Sequence, residues 1–115
     1  MNKKALETEI YERQAQICSA LANPIRLMIL NLLAENEATA TDLQRRLEIP
    51  KSNLSQHLKV LKAAGILKIR SEGLFQYLSL AIPEVKQACA LVRKVLAKQM
   101  GQEADLAKSL KANFS

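Results

Sequence analysis

The fifteen residues KSNLSQHLKVLKAAG, Lys51 to Gly65, carry three lysines, no acidic side chain, and leucines at 54, 58 and 61. On a helix advancing about 100° per residue, those leucines fall within a stripe of about 60°, with His57 on its flank. Ser52, Ser55, Gln56, Lys59 and Lys62 take the opposite side. Solvated helix faces ordinarily mix both signs of charge, and this one has no carboxylate. Ser and Gln hydrogen-bond base edges or phosphates, and lysines neutralise phosphates. The face therefore fits a helix lying in the major groove of DNA.

The flanking sequence gives this helix its setting. Gly65 suits the left-handed position that closes a helix. Upstream, Thr39 followed by Asp42 resembles a capping box with Asp in place of Glu; it opens a helix through Leu47, with Leu43 and Leu47 as core contacts. Glu48-Ile49-Pro50 is the turn between the two helices. Two short helices joined by a tight turn, the second basic on one side, make residues 39–65 a helix-turn-helix. Before it, Asn23-Pro24 pairs a good N-cap with a residue suited to the first helical position. This predicts a centrally buried helix over PIRLMILNLLA, residues 24–34, followed by a polar turn at Glu35-Asn36-Glu37. Leu6, Ile10, Ile17 and Leu21 recur at helical spacing, predicting a first helix over about 4–22.

After Gly65, ILKIR and LFQYLSL flank Ser71-Glu72-Gly73 and read as a hairpin, a wing over residues 66–80. Lys68 and Arg70 share one face of its first strand, within reach of a DNA backbone or minor groove, although a purely structural hairpin alternates in the same way. From Pro83 a long helix runs to about Met100, with Gly101 a break before a last turn. Its apolar residues form two rows, Val85, Cys89, Val92 and Leu96 in one and Ala88, Leu91 and Val95 in the other. So wide an apolar surface predicts that one row packs on its own domain and the other on a partner chain. The expected fold class is mainly α with a small β-hairpin, an α+β winged helix-turn-helix. Four helices, two strands and a fifth helix form a single domain over 1–115.

Composition agrees. The chain has 115 residues, of which 49% are hydrophobic but only 3% aromatic, a balance that favours helices. A chain this short buries apolar surface inefficiently, which also points to a second copy. No window approaches the ~18–20 apolar residues of a membrane span, and MNKKALETEIYERQ lacks the apolar core of a signal peptide, so a cytoplasmic protein with no membrane partner is expected. The net charge of +6 is concentrated in the second half of the chain, as suits a nucleic-acid partner. With one His, three Gly and no cluster of acid with base or nucleophile, an enzyme is not expected, nor is a cofactor.

With these elements in order, the sequence resembles the ArsR/SmtB family of winged-helix transcriptional repressors. The resemblance rests on ALANPIRL (20–27) with the following MIL, on SNLSQHLKVLKAAGIL (52–67), and on Arg70-Ser71-Glu72-Gly73 followed by Tyr77, and it spans roughly residues 12–100. It implies a homodimer joined through the first and last helices, residues 1–23 and 83–115. Such a dimer occupies an imperfect palindrome in double-stranded DNA and blocks transcription until an inducer releases it. Ser52, Asn53, Ser55 and Gln56 match the family's recognition helix, with Lys51 and Lys59 as phosphate contacts. Pro50 stands where the family often has a Ser cap; it caps less well but fixes the turn, so the helix is expected to persist.

The family's metal sites find no match. The last helix has no His, the third helix reads ATATDL without paired thiols, and the sole His, His57, flanks the leucine stripe. No conventional Zn or Ni site is expected. Cys18, near the end of the first helix, and Cys89, in the apolar row of the last, become neighbours if those helices pair as the resemblance implies. A disulfide or polysulfide bridge between them is then a candidate release mechanism, and Arg93, Lys94 and Lys86 lie close enough in sequence to favour the Cys89 thiolate if it is partly exposed. Thiol-based family members use cysteines elsewhere, and Asn31 stands roughly at one of those places. Three alternatives stay open: cysteines that only fill apolar space, a repressor responding to a soft metal or arsenical, and a winged-helix module that binds protein.

Overall fold

The computed structural model describes residues 2–101. Each helix start has a local cause. Helix α1, Lys3–Leu21, opens on Asn2, whose side chain accepts a hydrogen bond from the Ala5 amide at 2.7 Å. Helix α2, Pro24–Glu35, opens on Asn23, whose Oδ1 accepts from the amides of Ile25 and Arg26 at 2.9 and 3.1 Å, with Pro24 in the first turn as its fixed φ allows. The chain bends by 88° between these two helices. Helix α3, Ala40–Leu47, is capped by Thr39, whose hydroxyl accepts from the Asp42 amide at 3.1 Å. The Asp42 carboxylate does not complete a capping box; it accepts instead from Arg45 at 2.7 Å.

Glu48 ends α3 in the left-handed region at φ 54°, the sole non-glycine there among the described residues. Ile49 and Pro50 then lead into α4, Lys51–Ala63. Strands β2, Leu67–Glu72, and β3, Phe75–Leu80, pair antiparallel with Glu72 opposite Phe75, leaving Gly73 and Leu74 as a two-residue turn. The sheet departs from the two-stranded hairpin that the sequence suggests. Ala38–Thr39, of which the sequence pattern singles out only Thr39, and that as a helix cap, forms a short strand β1 that pairs with β3 in the order β1-β3-β2. Ala38 faces Leu78 and Thr39 faces Tyr77.

The described chain separates into one compact unit ending at Ile82 and another beginning at Pro83. In the first unit, the core gathers Ile29, Leu30 and Leu33 of α2, Leu43 of α3, Leu54 and Leu61 of α4, and Ile66, Leu67 and Leu78 of the wing. Helix α2 is buried on one side only, since Leu27 and Met28 are exposed, so its central burial is narrower than its apolar run suggests. Helix α1 buries only Ala20, at its C-terminal end; Leu6, Ile10, Tyr11 and Ile17 are exposed.

The second unit contains α5, Glu84–Gln99. Its less exposed residues are Val85, Cys89, Ala90, Arg93 and Ala97, whereas Val92 and Leu96 are exposed together with Leu91 and Val95. Arg93 is thus less exposed than Val92 and Leu96, although the latter two are apolar. Long charged side chains can cover apolar surface with their stems. The last turn expected beyond Gly101 lies outside the described residues. No single described helix is long and apolar enough to cross a membrane.

Candidate nucleic-acid interface

Helix α4 is anchored from beneath and closed at its far end. Leu54 and Leu61 are buried, at roughly 2 kcal/mol for each such side chain removed from water. Ala64 caps the helix, Gly65 follows at φ +76°, its amide bonds Lys62 O at 3.0 Å, and the Ile66 amide bonds Leu61 O at 3.0 Å. This pair of bonds is the Schellman arrangement, and the buried Ile66 and Leu61 supply its apolar contact. At the other end Pro50 offers no side-chain cap, so the first amides of α4 have neither an intrahelical partner nor a capping oxygen.

On this scaffold Lys51, Ser52, Asn53, Ser55, Gln56 and Lys59 are all exposed. At about 100° per residue, Ser52, Ser55, Gln56 and Lys59 form the centre of the outward surface, with Lys51 on one flank and Asn53 on the other. No carboxylate of α4 interrupts it, because the helix has none. A surface of this kind offers hydroxyl and amide groups to base edges and ammonium groups to phosphates. Arg45 and Arg46, on the last turn of α3, are also exposed and were not singled out by sequence pattern. Arg45 is paired with Asp42.

The wing differs in charge from its sequence reading. Lys68 and Arg70 do share a face of β2, but Arg70 donates to Glu37 at 2.7 Å and to Glu72, and its guanidinium lies 4.7 Å from the Tyr77 ring centroid. Hydrogen bonds to Glu72 and then Glu37 push its already high pKa further up. Its charge is balanced within the protein.

His57, on the inner flank of α4, meets Arg26, whose Nη1 lies 3.3 Å from His57 Nδ1. Arg26 also donates from Nε to Ala20 O at 2.6 Å and from Nη2 to Ser19 O at 3.2 Å. A guanidinium only donates, so the His57 contact is a hydrogen bond when Nδ1 carries no proton. This role of Arg26 is not legible in the sequence, since two of its acceptors are backbone carbonyls that carry no sequence signal.

Both cysteines are free thiols. Cys18 is exposed on α1 in the first unit, and Cys89 is partly covered on α5 in the second. Burial pushes the Cys89 thiol pKa up, against a smaller lowering by the Arg93 charge, so the nearby cation does not prevail. Among the described residues no group of three or more His, Cys, Asp or Glu is placed to hold a metal ion.

Residues 23–68 match the sequence profile of the bacterial regulatory protein, arsR family. Over 112 residues the chain is 34% identical to the HTH-type transcriptional regulator Rv0081 of Mycobacterium tuberculosis, covering 96% of this chain and 98% of that one. The chain belongs to the ArsR family.

Solved structures agree with this membership. The ArsR-family chain matches the Rv0081 crystal structure with a TM-score of 0.75 over 83% of its length and 96% of that chain, at 34% identity. A solution structure from Mycobacterium bovis, described as the homodimeric winged helix-turn-helix DNA-binding domain of Mb0332, matches at a TM-score of 0.78 and 28% identity, over 89% and 93% of the two chains. The transcriptional activator HlyU of Vibrio cholerae is 37% identical over 79 residues, 69% of this chain and 73% of HlyU. A structure of reduced HlyU matches at a TM-score of 0.69 and 32% identity, over 77% and 94% of the chains. The ArsR-family fold is thus a winged helix-turn-helix, with α3 and α4 as the motif and β2–β3 as the wing.

Proposed function

We propose that this ArsR-family protein is a homodimeric, sequence-specific repressor that reads a double-stranded, imperfectly palindromic operator with α4. Ser52, Asn53, Ser55 and Gln56 contact bases, while Lys51, Lys59 and Lys68 contact phosphates. Arg70 braces the wing. The observation that carries this reading is the outward surface of α4, which is exposed, free of carboxylates and fixed by Leu54 and Leu61 beneath it. The homodimeric relative Mb0332 supports two-fold assembly, and the exposed apolar residues of α1 and α5 supply surface for it.

Release is assigned to thiol chemistry at Cys18 and Cys89. One peroxide suffices: the Cys18 thiolate attacks a peroxide oxygen to give a sulfenic acid and water, and the Cys89 thiolate then displaces a second water to close the disulfide. The two thiols are oxidised by two electrons, and their protons leave in the two waters. The exposure of Cys18 makes it the first to react, and the raised pKa of Cys89 makes ring closure faster as pH rises. The relative HlyU, solved in a form described as reduced, supports attention to thiols.

Gel-shift titration on a duplex selected by the wild-type protein tests both parts. Gln56→Ala and Ser55→Ala are expected to weaken binding roughly 5- to 150-fold, from about 1–3 kcal/mol per base contact, while leaving the dimer intact. Unchanged affinity rejects the reading face. Peroxide or polysulfide is expected to release the wild type but not Cys18→Ser or Cys89→Ser; a wild type that holds the duplex equally under reductant and oxidant rejects the thiol switch.

A further inference from the structure

The wing tip is built for something other than phosphate contact. At the tip end of the hairpin, Arg70 is paired with both Glu37 and Glu72. The guanidinium charge nearest the turn is thus balanced within the protein, while Lys68 lies four residues back along β2 from Glu72. What projects instead is apolar: Leu74 is 100% exposed and Phe75 60%. Gly73 has φ +60° while Leu74 does not have a positive φ, the pattern of a type II′ hairpin turn. So short a turn leaves Leu74 no backbone slack to fold back onto the sheet.

The base of the wing is fixed to the end of α4. The Schellman closure of α4 passes directly into β2, with Ile66 and Leu67 buried at the junction. Strands of six residues, as in β2 and β3, extend about 20 Å. One turn of duplex rises about 34 Å, so the adjacent minor groove lies about 17 Å from the centre of the major groove, within that reach. Apolar side chains such as Leu and Phe enter minor grooves as wedges between base steps, where no charge is required.

We infer that Leu74, backed by Phe75, is an apolar wedge that enters the minor groove of duplex DNA beside the site read by α4 and partly unstacks one base step. This rests on the DNA-binding reading proposed above and adds to it a specificity at flanking positions that no side chain hydrogen-bonds. Flexible pyrimidine–purine steps such as TA and CA are the preferred seats, because they unstack most easily.

The test uses the full-length protein and a duplex selected from a random pool by the wild type, with 2-aminopurine placed in turn at each flanking step. Wild type is expected to brighten the probe at one flanking step per half-site. Leu74→Ala, at a fully exposed position that does not endanger folding, is expected to abolish that signal and lower affinity roughly tenfold. The dependence of affinity on salt should stay unchanged, since no phosphate contact is lost. Phe75→Ala should act in the same direction. Equal affinity and equal fluorescence for Leu74→Ala and wild type overturn the wedge while leaving DNA binding standing. A Leu74→Ala effect confined to self-association in sedimentation overturns it in favour of a contact between copies. Wild type that retains no duplex from the pool overturns the DNA reading and the wedge together.

Discussion

With Nε on Ala20 O, Nη2 on Ser19 O and Nη1 against His57 Nδ1, Arg26 fastens the end of α1 to α2 and α4 at one point. The two carbonyls belong to the last turn of α1, where four acceptors lack intrahelical partners and a positive charge is favoured by the helix dipole. Arg26→Ala removes the side-chain donor from both carbonyls, leaving Ser19 O only the Ala22 amide, and is expected to lower stability by about 2 kcal/mol in urea titration. His57→Ala should cost clearly less in the Arg26→Ala background than in wild type, because the two share a contact. Strictly additive losses would show that the contact contributes nothing.

At the scale of elements, the closure of α4 determines where the wing begins. A Cβ at Gly65 meets nothing within 4 Å, so the requirement for glycine is the backbone conformation at φ +76° and not space. Gly65→Ala is therefore expected to destabilise by about 1–2 kcal/mol through left-handed strain, seen as a lower urea midpoint at unchanged slope. Gly65→Asn should recover part of the loss, since Asn tolerates that region; an Ala variant as stable as wild type would mean that the turn relaxes into another form. The wing is held from the other side by β1, through Ala38 opposite Leu78, and by the reach of Arg70 to Glu37.

For the whole molecule, the proposed dimer has a thermodynamic signature. Most of α1 is exposed, as are Leu91, Val92, Val95 and Leu96 of α5, so a partner chain that covers these residues stabilises the folded state by mass action. The melting temperature is expected to rise with protein concentration, and one that stays constant over a hundredfold dilution would reject the dimer. The features legible in the sequence were local ones: Asn23-Pro24 and Thr39 as helix starts, Gly65 as a helix end, and the leucine stripe of α4. Those that escaped are non-local or lack a pattern. Strand β1 is two residues long, too short for periodicity, and Arg70 finds Glu37 33 positions away. Exposure along α5 also escaped, because hydropathy ranks Val92 above Arg93 whichever side is covered.

The 88° bend between α1 and α2 has a mechanical meaning. Helix α1, at 19 residues, is about 28 Å long, and Arg26 grips it at one end only. It is a lever with its fulcrum at Ser19 and Ala20. A tilt of about 5° there sweeps the far end by about 2.5 Å, so a disturbance too small to disrupt the core is magnified along the arm. Cys18 stands one residue before the fulcrum. Chemistry at its thiol is applied where the same displacement produces the largest swing.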